Sequence, residues 1–252
     1  MYNRRMFEVD LSAALRAHFN FPAFRPGQEA AIQHVLNNRH TLVVMPTGSG
    51  KSLIYQLAAL QLPGVTLVIS PLIALMKDQV DSLTRRGIAA TYINSTLTAS
   101  EQTDRLRALS EGRFKIVLVA PERLRSHAFR EALNSIPISL LTVDEAHCLS
   151  QWGHDFRPDY LHIAAARDHF NAPIVLALTA TATPRVQDDI LRLLGLDRAA
   201  RIVTGFNRPN LTLEVFSTPD VKAKLNFLRD FLAQADGDGG IIYTGTRRAG
   251  VA

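Results

Sequence analysis

The chain has 252 residues, 47% of them hydrophobic, enough to bury the core of one full domain but short for two. Lys and Arg number 28 against 23 Asp and Glu, a net charge of +5 that suits a polyanionic partner without establishing one. The single cysteine, Cys148, excludes an internal disulfide and a Cys-rich zinc site within these residues. No uninterrupted apolar run of about 18 residues is present to span a membrane, and the N-terminal segment lacks the apolar core and cleavage site of a signal peptide. A reducing, cytoplasmic setting is the expectation.

In chain order, short β-branched apolar runs alternate with helix-like segments. TLVVM (41–45), VTLVIS (65–70), FKIVLVA (114–120), ISLLTVD (138–144) and PIVLALT (173–179) read as buried strands. Thr98 with Glu101 forms a capping box ahead of a helix that Gly112 stops. Thr183 and Pro184 start a second helix ending near Gly195, and Asp220 caps a third. The Gly-rich stretch 236–240 leads into IIYTGT, which reads as one more buried strand. The pattern predicts an α/β fold, a mostly parallel sheet flanked by helices.

MPTGSGKS (45–52) lies between the first strand and a helical segment, SLIYQLAAL. It fits the P-loop pattern except that Met45 replaces the first glycine. Thr47, Gly48, Ser49 and Gly50 would wrap phosphates with backbone N–H groups. Lys51 would neutralise the β- and γ-phosphates of a nucleoside triphosphate, and the Ser52 hydroxyl would ligate Mg²⁺. GKS alone is equally compatible with an ordinary turn; the strand and helix around it favour the phosphate site.

An acidic pair at the end of ISLLTVD adds to this. Asp144 is placed to reach Mg²⁺, and Glu145 to orient or deprotonate an attacking water. The stretch that follows, CLSQWGHDFRPDY, crowds together Trp152, Phe156 and Arg157. Two aromatic faces and a guanidinium suit stacking against a flat ligand. His147 and His154 suggest hydrogen-bonding roles rather than metal ligation, with His147 linking the acidic motif to side chains across the site. Thr179 and Thr181 carry hydroxyls suited to contact Asp144 or His147, although a satisfied turn explains them as well.

Eight blocks in order, from FNFPAFRPGQ (19–28) through MPTGSGKSLIYQL, VISPLIALMKDQV, VAPERL, DEAHCLSQWGHDFRPDY, ALTATAT and FNRPNL to IIYTGTR (241–247), resemble the RecQ family of superfamily 2 DNA helicases. The resemblance implies a RecA-like P-loop domain over residues 1–205, followed at 206–252 by a linker and the start of a second RecA-like lobe. It implies ATP and Mg²⁺ as cofactors, single-stranded and duplex DNA as partners, 3′ to 5′ unwinding, and a place in DNA repair and recombination. Phe21, Arg25 and Gln28 fall on the family's adenine-recognition segment. Phe21 stands where Tyr is expected and Asn20 where Gly is usual; the aromatic face survives the first change. Trp152, Phe156 and Arg157 fall on the loop that contacts single-stranded DNA and reports it to the ATP site.

Ser70, Pro71, Glu122 and Arg123 fall on the family's DNA-tracking segments. The family's second-lobe arginine, zinc module and winged helix match nothing here, so this chain alone is expected to bind nucleotide weakly and to unwind nothing. Two alternatives remain open: an RNA helicase, and a nucleotide-dependent nucleic-acid-binding module without turnover.

Overall fold

The computed structural model describes residues 10–134, 136–171, 173–196, 198–205, 211–234 and 240–245. Seven strands form one sheet: β1 (Thr41–Val44), β2 (Val65–Ile69), β3 (Ala90–Ile93), β4 (Ile116–Val119), β5 (Ile138–Val143), β6 (Ile174–Thr179) and β7 (Ala200–Val203). Their order is β3-β4-β2-β5-β6-β1-β7 and every pairing is parallel. The interior strands β1, β2 and β4 are buried along their whole length, their Val, Ile and Leu runs broken only by the buried Thr41 and Thr66, as suits a sheet covered on both faces.

Nine helices run between or beyond the strands among the described residues: α1 (Leu11–Phe19), α2 (Gln28–Leu36), α3 (Lys51–Gln61), α4 (Ile73–Arg85), α5 (Ala99–Ser110), α6 (His127–Asn134), α7 (His162–His169), α8 (Pro184–Leu193) and α9 (Val221–Gln234). One core, around Tyr55, Leu57 and Leu118, lies on one face of the sheet; another, around Leu67, Val143 and Tyr160, lies on the other. Alternate residues of each strand feed the two cores, which is the strand period at work.

Local signals set the helix ends. Thr98 and Glu101 form the reciprocal capping box, and Gly112 follows α5 at φ +73°. Thr183 accepts from the Val186 N–H at 3.4 Å ahead of Pro184, and Asp220 accepts from Ala223 N–H at 2.7 Å to cap α9. The five expected strands are present. Two more, β3 and β7, complete the sheet at its edges.

The chain divides into a unit of residues 1–206 and a second of residues 207–252. In the second, Phe227 of α9 packs against Phe216 at 4.5 Å between ring centroids. Of the stretch IIYTGT expected as a strand, the described residues 241–245 form none, and Ile241 and Tyr243 are largely exposed. A strand exists only through its hydrogen-bonded neighbours, and apolar sequence alone does not supply them. All of FNRPNL except Leu211, and the Gly-rich stretch except Gly240, lie outside the described residues.

The parallel registers align the site. Val44 pairs with Thr179, Val143 with Ala177 and Ile69 with Val143, so the C-terminal ends of β1, β6, β5 and β2 stand side by side. Ligands of open parallel sheets bind in the crevice outside these strand ends.

Candidate nucleotide and nucleic-acid site

The loop between β1 and α3 leaves the sheet with the Met45 N–H bonded to the Thr179 carbonyl at 3.0 Å. Gly48 and Gly50 both take left-handed backbone conformations, φ +78° and +82°, which turn the chain tightly enough to deliver Lys51 to the first position of α3. A helix start following a glycine-rich turn offers unpaired N–H groups and the positive end of the helix dipole to an anion. The Lys51 ammonium donates to the carbonyls of Met45, at 3.1 Å, and Pro46, at 3.4 Å. Burial lowers its pKa, while Glu145 and Asp144 pull it back up.

Gln28, at the start of α2, is buried against this loop. Its Nε2 donates to the carbonyls of Ser49, at 3.2 Å, and Gly50, at 3.0 Å, and its Oε1 accepts from the Arg25 N–H at 2.8 Å. The Arg25 guanidinium donates to the Gly48 carbonyl. Both ends of the amide expected to read adenine are therefore engaged with protein. Phe21 is exposed nearby in sequence. Asn20 sits at φ +58°, the left-handed region where glycine is the easy residue, so asparagine keeps the turn after α1.

Asp144 follows β5, its N–H bonded to the Ile69 carbonyl at 2.9 Å, and its carboxylate accepts from the Glu145 N–H at 3.0 Å. Burial, together with the neighbouring Glu145 charge, pushes the Asp144 carboxyl up to about 6. Glu145 itself is held in the left-handed region, φ +49°, which a residue with a Cβ adopts only under constraint. Hydrogen bonding to His147 keeps its carboxyl below the usual range. The two acids are thus split, one protonated more readily than normal and one less, a pattern that marks functional sites.

A 3-10 turn, Ala146–Leu149, buries His147. Its Nδ1 lies 3.0 Å from the Thr179 hydroxyl and 3.3 Å from the Glu145 carboxylate. Thr179 contacts His147, as one of the two sequence expectations had it. Thr181 meets a different partner, His154, at 3.3 Å, and the His154 ring stacks on that of His147 at 4.2 Å.

Beyond this turn, Trp152 is 61% exposed, whereas Phe156 is half-buried and offers less surface for stacking. Arg157 is bound through two nitrogens to Asp155, at 2.8 and 3.0 Å, and donates to the Pro71 carbonyl at 3.4 Å. Sequence reasoning missed Asp155, although its position two residues before Arg157 was a signal. It also missed Tyr160, whose buried hydroxyl donates to the Asp144 carbonyl at 2.9 Å. Ser70 is buried at the end of β2, and Arg123 lies over the Phe129 ring.

Thr47, Pro71, Glu145, His147, Arg157 and Thr181 line one cavity of about 250 Å³. A larger one, about 410 Å³, is lined by Asp104, Arg107 and Arg113 around α5 and shares no residue with the site. His147, Cys148 and Asp155 bring one donor atom each within 4.8 Å. In this set Arg157 engages the Asp155 carboxylate, and burial pushes the Cys148 thiol up to about 12. Asp144 and Ser52 carry the hard oxygen donors that Mg²⁺ takes. No helix among the described residues is long and apolar enough to cross a membrane.

A family model described as DEAD/DEAH box helicase matches residues 25–190. The chain is 47% identical over 238 residues to the ATP-dependent DNA helicase RecQ of Bacillus subtilis, covering 93% of this chain and 40% of that protein. It is 42% identical over 237 residues to the RecQ helicase of Haemophilus influenzae, covering 93% and 38%. Among solved structures, the DUF1998 helicase MrfA superposes with a TM-score of 0.69 at 21% identity, covering 96% of this chain and 39% of that one. The chain thus spans about 40% of the length of these relatives, and its fold is of the RecA-like helicase type.

Proposed function

Because the chain belongs to the DEAD/DEAH box helicase family, we propose that it is the ATP-binding motor lobe of a RecQ-type DNA helicase. In this reading the helicase of which it is a part couples ATP hydrolysis to 3′ to 5′ movement on single-stranded DNA and to unwinding of duplex DNA, while this chain alone unwinds nothing. Residues 1–205 are assigned to the first RecA-like lobe, and 206–252 to the connection and the start of a second.

The loop Thr47–Ser52 wraps the triphosphate with its N–H groups, and Lys51 exchanges its two carbonyl acceptors for β- and γ-phosphate oxygens. Phe21 and Arg25 sandwich the adenine, and Gln28 reads its edge by giving up part of its hold on the loop. Ser52 and Asp144 would hold Mg²⁺, which would neutralise phosphate charge. Glu145 orients the attacking water and accepts its proton. His147 keeps that carboxylate aimed through its shared contact with Thr179. Trp152, with Phe156 and Arg157, takes up single-stranded DNA.

The observation that carries this reading is the closure of one segment on itself. The Tyr160 hydroxyl binds the Asp144 carbonyl at 2.9 Å, so the exposed Trp152 and the acid pair belong to one tied loop. A shift of the ring on DNA reaches the catalytic acid within a few residues.

The test is ATP turnover with single-stranded DNA, with RNA and with neither, beside Lys51→Ala. Stimulation by DNA that the variant abolishes supports the reading. Equal or greater stimulation by RNA favours an RNA helicase. ATP-linked DNA binding without turnover favours a binding module.

A further inference from the structure

Arg185, the second residue of α8, places its guanidinium carbon 3.5 Å from the centroid of the Trp152 ring. The ring nevertheless remains 61% exposed, so the cation covers one face and leaves the rest open. One turn further along α8, Asp189 pairs with Arg192 and lies beside the Ser150 side chain. The Ser150 hydroxyl in turn accepts from the Trp152 N–H at 3.1 Å. One face of α8 thus backs the ring through Arg185 and, one turn on, brings Asp189 beside the serine that holds the tryptophan's main chain. The helix begins a few residues after Thr179 and Thr181, which contact His147 and His154. The element that steadies Trp152 is thus continuous with the element that touches the catalytic motif.

We propose that Arg185 is a positioning residue that backs one face of Trp152 and presents the other to a DNA base. The proposal rests on the reading of Trp152 as a stacking platform. An exposed indole free to change rotamer must be ordered when a base stacks on it, and that ordering costs affinity. A guanidinium already in van der Waals contact with the ring meets part of the cost before DNA arrives. Because an indole has two faces, a base does not have to displace the arginine; it completes a sandwich of cation, ring and base.

Trp152 is the only tryptophan in the chain, so its fluorescence reports this one ring. The experiment measures acrylamide quenching of the free protein and affinity for oligo-dT across a salt series, for wild type, Arg185→Gln and Arg185→Lys. Loss of the backing is expected to make the free ring more accessible to quencher in Arg185→Gln. It is also expected to weaken oligo-dT binding about two- to fivefold, the factor a surface cation–π contact contributes, with the salt slope unchanged. Arg185→Lys, which keeps the charge and loses the planar stack, should restore binding only in part.

Unchanged quenching in Arg185→Gln would overturn the proposal. So would tighter binding, which would make Arg185 a cover that DNA displaces. Full rescue by lysine, with a slope lowered in Arg185→Gln by about 0.7, would overturn it in favour of a phosphate contact. If wild-type protein bound no oligo-dT, the functional reading itself would fall and the proposal with it, whereas wild-type binding with an inert Arg185→Gln would sink the proposal alone.

Discussion

The Nδ1 of His147 and the hydroxyl of Thr179 meet at 3.0 Å, and the same nitrogen lies 3.3 Å from the Glu145 carboxylate. The contact joins the ends of two adjacent strands, β5 and β6, at the point where the acid pair leaves the sheet. It holds Glu145, already in a left-handed backbone conformation, in one orientation.

Removing the Thr179 hydroxyl leaves a buried imidazole nitrogen with Glu145 as its remaining partner and loosens that carboxylate. Thr179→Val is expected to lower ATP turnover about tenfold, the equivalent of one buried hydrogen bond, with little change in KM for ATP. Steady-state kinetics at saturating nucleotide check this. A changed KM with unchanged kcat would place Thr179 in ground-state binding instead.

The roles of Lys51 and Glu145 separate in the same assay. Lys51→Ala should abolish ATP binding and turnover together. Glu145→Gln should retain nucleotide affinity and lose turnover by about 10²- to 10⁴-fold, the usual worth of a positioned acid or base. Equal loss of binding in both variants would remove Glu145 from the chemical step.

Asp144 sets a pH dependence whose sign follows from its environment. Burial and Glu145 raise its folded-state pKa to about 6, whereas an unfolded Asp titrates near ~3.9. Between those values the folded state binds more protons, so the stability of the metal-free protein falls as pH rises through that window. Asp144→Asn removes the cost and should stabilise metal-free protein at pH 8 by about 1–3 kcal/mol. The advantage should vanish below about pH 4, where both forms of the wild type are protonated. Thermal unfolding of the two proteins at pH 4 and pH 8 in chelator tests it, and an equal Tm difference at both values would contradict it. On the proposal that Asp144 holds Mg²⁺, the ion displaces the same proton, and its binding should weaken as pH drops below about 6.

The two loop glycines should differ in their tolerance of a side chain. A Cβ at Gly50 would lie 2.7 Å from the Gln28 Nε2, pushing that amide off the loop carbonyls, while at Gly48 it would meet nothing within 4 Å. Both positions carry positive φ, so both alanines cost about 1–2 kcal/mol in backbone strain. Only Gly50→Ala should add the loss of the Gln28 hydrogen bonds and thus show the larger drop in Tm. Equal Tm values would mean that Gln28 does not brace the loop.

Much of this was legible before the structure. Buried central strands declare themselves through unbroken β-branched runs, so β1, β2, β4, β5 and β6 could be read directly. The edge strands β3 and β7 are four residues each and carry residues such as Tyr92 and Arg201, which interrupt the apolar pattern. Helix α4 begins without a side-chain cap, so no start signal marks it. IIYT misled for the opposite reason: its composition suits a strand, but no partner strand pairs with it among the described residues.

That Lys51 opens a helix after a glycine-rich turn, and that Asp144 and Glu145 follow directly on a buried strand, was readable from spacing and residue type. The bond of Tyr160 to the Asp144 carbonyl, the grip of Gln28 on the Ser49 and Gly50 carbonyls, and the stacking of Arg185 on Trp152 were not. Each depends on where the chain returns in space, and a Tyr, Gln or Arg looks alike in sequence whether or not it finds that partner.

The measurement that bears most directly on the coupling of DNA to the nucleotide site is the affinity for a non-hydrolysable ATP analogue with Mg²⁺, taken with and without oligo-dT, in wild type and Trp152→Ala. Linkage requires that each ligand change the affinity of the other by the same factor. Coupling through the tied loop predicts a shift in wild type that disappears in Trp152→Ala, with DNA-free nucleotide binding left intact. Identical nucleotide affinities with and without DNA, or a shift that survives the loss of Trp152, would contradict it.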